Sequence, residues 1–114
     1  MRNIFSIDKV CQPDNIEEQF ETILTNDKGL LVERIVSHGQ TTPPGQWHDQ
    51  ERDEWVIVLE GSARLLFEDG REISLERGDH AFLDKHVRHR VDYTSSPCIW
   101  LAVHGQTLKP GTLI

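Results

Sequence analysis

Apolar positions along this chain change their period once, near residue 29. Before it, Ile16, Phe20, Ile23 and Leu24 recur at i, i+4, i+7 and i+8, which is one face of a helix. Asp14 stands three residues before Glu17, a capping pattern. The spacing predicts a short amphipathic helix over residues 15–24. Asn26-Asp27-Lys28-Gly29 ends it with turn chemistry.

After Gly29 the pattern is that of short strands. Leu30 to Ser37 is β-rich, and residues 38–45 form a loop dense in Gly and Pro. Trp55-Val56-Ile57-Val58-Leu59 is a continuous apolar run, as in a strand covered on both faces. Further strands are expected at Ala63–Phe67, Glu72–Leu75, His80–Leu83, His89–Thr94 and Cys98–Val103. Glu68-Asp69-Gly70-Arg71 and Arg77-Gly78-Asp79 are turns between them. Short strands joined by Gly and Pro turns indicate an all-β antiparallel sandwich or barrel.

Length and composition narrow the class. The chain has 114 residues, the size of one domain. We read one unit over 1–114: an N-terminal helical appendage over 1–29, a barrel over 30–104 and an extended C-terminal arm over 105–114. Twelve Lys+Arg against nineteen Asp+Glu leave a net charge of −7. That lacks the basic footprint of a nucleic-acid binder and disfavours an anionic membrane surface. No apolar stretch is long enough for a signal peptide or a membrane span, so a cytoplasmic protein is expected. Cys11 and Cys98 then read as reduced thiols, Cys98 as a small buried hydrophobe.

The candidate chemistry centres on His48, Gln50 and Glu54. Even offsets place these three on one face of an extended segment. Glu54 shares parity with Val56 and Val58. If those valines line an interior, Glu54 lies near its mouth, where a carboxylate needs a partner or a metal. His48, Glu54 and a histidine from another strand would make a two-His-one-carboxylate set with open positions on a divalent ion. Gln50 could add a neutral oxygen. Blander readings stand beside this one. His48 could be a solvated loop residue, Glu54 could pair with Arg90, and His89 could be a hydrogen-bonded histidine at the core edge. His86 reads as exposed, and His104 as a strand-end histidine able to orient a ligand. Trp47 flanks the site as packing or as pocket lining.

The stretch His48-x-Gln50-x3-Glu54-x6-Gly61 resembles the first cupin motif, His-x-His, three or four residues, Glu, six residues, Gly. Gly78-x5-Asp84-x-His86-x2-His89-x3-Tyr93 resembles the second, Gly-x5-Pro-x-Gly-x2-His-x3-Asn. Ser37-His38-Gly39, Trp47, Asp49-Gln50 and Trp100–His104 are similar to a subgroup of small bacterial cupins. The resemblance implies a cupin-like β-barrel or jelly roll and a divalent metal in its mouth (Fe, Mn, Ni or Zn). The implied ligands are His48, Glu54 and His89, with Gln50 in place of the family's second histidine. It further implies a homodimer and a small-molecule ligand. A metal-dependent oxygenase or isomerase is the expected activity. A metal-free ligand-binding module and a dimeric interaction module are the alternatives.

Overall fold

A computed structural model describes residues 2–7 and 17–111. Among them are eight strands: β1 (Gln19–Thr25), β2 (Leu31–Ser37), β3 (Asp53–Glu60), β4 (Ser62–Phe67), β5 (Glu72–Glu76), β6 (His80–Leu83), β7 (His89–Thr94) and β8 (Cys98–Gly105). They form two antiparallel sheets, ordered β1-β2-β8-β3-β6 and β5-β4-β7. The all-β expectation holds, and every strand foreseen after Gly29 is present. The two sheets face each other without closing into one hydrogen-bonded barrel.

The expected helix is replaced by a strand. Among the described residues there is no helix, and β1 pairs with β2 from Gln19↔Val36 to Thr25↔Leu31. Asp14 of the predicted cap and Ile16 of the predicted face lie outside the described residues. A ten-residue helix is marginal by itself, whereas the bare edge of β2 offers a row of backbone donors and acceptors. Edge pairing wins, and Phe20, Ile23 and Leu24 are left exposed. No helix of the described residues could cross a membrane.

Alternation along the strands builds the core. Val56 and Val58 of β3, Ala63, Leu65 and Phe67 of β4, Leu75, Leu83, Cys98 and Trp100 form one buried cluster between the sheets. Val58 and Cys98 are fully buried. Burial pushes the Cys98 thiol up to about 12, as expected of an inert buried cysteine. Along β3, Trp55, Ile57 and Leu59 are only partly covered, so one face rather than both is fully buried.

Two connections position the site. The loop before β3 runs along the free edge of β7. The Thr42 N–H donates to the Val91 carbonyl at 2.8 Å, and His48 and His89 exchange both backbone hydrogen bonds. The His86 N–H donates to the Gln50 carbonyl at 2.8 Å. At the start of β3, buried Asp53 accepts the Lys85 and Leu108 backbone N–H groups, tying down the start of the C-terminal arm.

Candidate functional site

A cavity of about 290 Å³ is lined by residues of both sheets and of the 40–50 loop. Its apolar lining includes Ile35, Val56, Leu65, Leu83, Val91 and Trp100. His48, Gln50, Glu54, His89 and His104 all line it. His48, Gln50 and Glu54 therefore line one cavity, though not as neighbours along a single unbroken extended segment. The extended segment is broken by a bend at Glu51 and Arg52, and β3 starts only at Asp53.

His89 opens β7 and is 5% exposed. Its Nδ1 lies 2.9 Å from the Val87 carbonyl oxygen. A carbonyl only accepts, so Nδ1 carries the proton and Nε2 keeps its lone pair, the tautomer used by metal-binding imidazoles. The Phe67 ring lies beside it, with centroids 6.4 Å apart. His48 faces it at a ring-centroid distance of 5.6 Å and is solvent-exposed. The His48 Nε2 is 3.3 Å from Thr42 Oγ1, which also accepts the Val91 N–H at 3.0 Å. Partial desolvation, and then the nearby His89, hold the His48 imidazole below its ordinary pKa; Glu54 and Glu18 oppose this more weakly. Neutral imidazole, the ligating form, is thereby favoured.

Glu54, on β3, is 8% exposed. Among the described residues its carboxylate receives no hydrogen bond. Its one ion pair is with His104 Nε2, at 4.0 Å. The alternative pairing with Arg90 is not made, because the Arg90 Nη2 donates instead to the Thr42 carbonyl. His104 is 7% exposed and donates through Nε2 to Glu33 Oε1 at 3.0 Å. Its buried Nδ1 has no partner. The strand register brings Glu54 opposite His104, and Leu31 opposite it on the other side.

Trp47 is half-buried and is not among the lining residues; Trp100 supplies the indole. The Trp100 Nε1–H donates to Ser37 Oγ at 3.2 Å, and the Ser37 hydroxyl donates to Glu18 Oε2 at 2.5 Å. His86 is exposed, as expected, with Nδ1 2.7 Å from Asp49 Oδ1. It adopts φ +63°, a left-handed conformation, where the second motif has glycine. Glu18 and Glu33 were not foreseen. Glu33 shares strand parity with Ile35 and Ser37, a usable signal, whereas nothing local marks Glu18.

The donor types suit a divalent cation: two imidazoles, one buried carboxylate and an amide. Yet among the described residues no three His, Cys, Asp or Glu side chains close into a compact ligand group.

A family model described as "Cupin domain" matches residues 32–104. No curated protein matches the chain. Among solved structures, a candidate mannose-6-phosphate isomerase from Ralstonia eutropha JMP134 is 40% identical, with a TM-score of 0.83, over 94% of this chain and 98% of that one. A cupin superfamily protein from Desulfitobacterium hafniense DCB-2 is 14% identical, with a TM-score of 0.68, over 80% and 79% of the two chains. The DMSP lyase DddQ from Ruegeria pomeroyi DSS-3 is 19% identical, with a TM-score of 0.66, over 82% and 49%. The last two likenesses show the fold alone.

Proposed function

Because the chain belongs to the cupin domain family, we propose that its cavity holds a divalent metal ion through His48, Glu54 and His89, with Gln50 assisting, and acts on a small organic molecule. One observation carries the reading. Glu54 is a buried carboxylate in a cavity with no hydrogen-bond donor of its own. Such a charge is costly unless a cation or a ligand completes it. A bound divalent ion supplies Lewis acidity toward a substrate oxygen.

The chain's own residues do the rest. The Val87 carbonyl fixes the His89 tautomer. Partial desolvation and the nearby His89 favour the neutral form of His48. The Glu33–His104 pair stands beside Glu54 and orients whatever lies against it. Val56, Leu65 and Leu83 exclude water from the inner lining.

The activity named for the Ralstonia protein suggests isomerisation as one reaction class for this cavity. A metal-free ligand-binding module is the second reading, favoured by the open arrangement of the three ligating side chains. Elemental analysis of protein reconstituted with Fe(II), Mn(II), Ni(II) or Zn(II) and then desalted separates the two. Stoichiometric metal that is lost in His89→Ala supports the metal reading. No retained metal at any of the four overturns it.

A further inference from the structure

The cavity carries charge of one sign. Glu18, Glu33 and Glu54 line it, and none of its described lining residues is Lys or Arg. Of the two nearby arginines, Arg34 donates through Nη1 to the Ile4 and Ser6 carbonyls and pairs with Glu21, and Arg90 donates through Nη2 to the Thr42 carbonyl while its buried Nε has no partner among the described residues. Among the described residues no helix N-terminus is present to receive an anion either.

Four of its donors are already engaged. The Trp100 indole N–H goes to Ser37, the Ser37 hydroxyl to Glu18, the His89 Nδ1–H to Val87 and the His104 Nε2–H to Glu33. Among the described residues the Glu54 carboxylate receives no hydrogen bond, and the buried His104 Nδ1 has no partner. A ligand that satisfies these two acceptors brings donors, and the carboxylate lining disfavours negative charge. A divalent ion would offset two of the three carboxylate charges and leave the lining negative still.

We propose that this cavity selects a small donor-rich molecule, a polyol that is neutral or carries an ammonium group, and rejects its phosphorylated counterpart. The inference rests on the reading of this cavity as the ligand site. Glu33 and Glu18 are its specificity-determining residues, Glu33 beside His104 and Glu18 on the Ser37 hydroxyl. A phosphate dianion placed among them meets like charge with no compensating guanidinium or ammonium.

Calorimetric titration of the metal-reconstituted protein with mannose, mannosamine and mannose 6-phosphate tests this. Mannosamine or mannose should bind at least about tenfold more tightly than the phosphate. Glu33→Gln and Glu18→Gln should each narrow that gap, and the two variants guard against one of them merely misfolding. Phosphate binding as tight as that of the other two sugars overturns the proposal, and so does binding of none of the three. Metal content measured on the same samples keeps the two ideas apart. Charge preference without metal sinks only the metal reading, and metal with phosphate preferred sinks only this one.

Discussion

His48 and His89 are joined through their backbones. The His48 N–H donates to the His89 carbonyl at 2.7 Å, and the His89 N–H returns to the His48 carbonyl at 3.2 Å. These residues lie 41 positions apart in sequence, yet their rings face one cavity before any ion or ligand arrives. The bridge makes the pair part of the fold, so the two imidazoles can be changed without releasing the loop that carries them.

Glu54 should show a trade between stability and function. In the metal-free protein its charge is buried without a hydrogen-bond donor, which opposes folding. Glu54→Gln removes that charge at nearly constant volume. We expect the metal-free variant to be more stable by about 1 kcal/mol, read as a higher urea midpoint, and to retain no metal by elemental analysis. A destabilised variant would mean that Glu54 holds the fold rather than the site.

Gln50 stands where the family motif has its second histidine. Gln50→His should tighten metal binding about tenfold, equivalent to about 1.4 kcal/mol, in competition with a chromogenic chelator. Unchanged affinity would show that this position does not face the ion.

The pH response follows from His48. Its folded pKa lies below the ordinary 6.5 because partial burial and the neighbouring His89 oppose its charge. The unfolded chain therefore takes up the proton first as pH falls. The stability this group contributes is complete above the unfolded value and is lost as pH falls through the folded one. The urea midpoint of the metal-free protein should drop between pH 7.5 and 5.5, and His48→Gln should flatten that part of the profile.

Gly61 closes the tight connection from β3 to β4 at φ +83°. A Cβ there would lie 2.5 Å from the Pro97 carbonyl oxygen and 2.2 Å from Ser95 Oγ. Gly61→Ala combines a left-handed backbone with a backbone collision and should cost about 2–3 kcal/mol. Gly70→Ala has the same sign of φ and open space around it, and should cost less. Denaturant midpoints of the two variants, compared directly, check this.

Much of the candidate site was legible beforehand because motif spacing is local. One residue separates His48 from Gln50 and three separate Gln50 from Glu54, so a short segment delivers all three to one cavity. The spacing after Gly78 likewise put His89 at a strand start. Glu18 carried no local signal and Glu33 only its strand parity, because their part in the site depends on what lies across the sheet. The partner of Glu33 is His104, 71 residues away, and Glu18 acts on Ser37 beneath Trp100. The same reasoning exposes the error at residues 19–24. A helical period was present, but the competing partner was β2, which follows directly after the turn and lies beyond a window that spans only residues 15–24.

Local pattern was enough for the strands after Gly29, their turns and the residue types of the candidate ligands. Alternation of side chains and the backbone freedom of glycine act within a few residues. Long-range packing was needed to make β1 a strand, to zip the 40–50 loop to β7, and to line the cavity with carboxylates and, among the described residues, no Lys or Arg. Those outcomes depend on cross-strand pairing and burial, which are settled by whichever distant segments come to lie side by side.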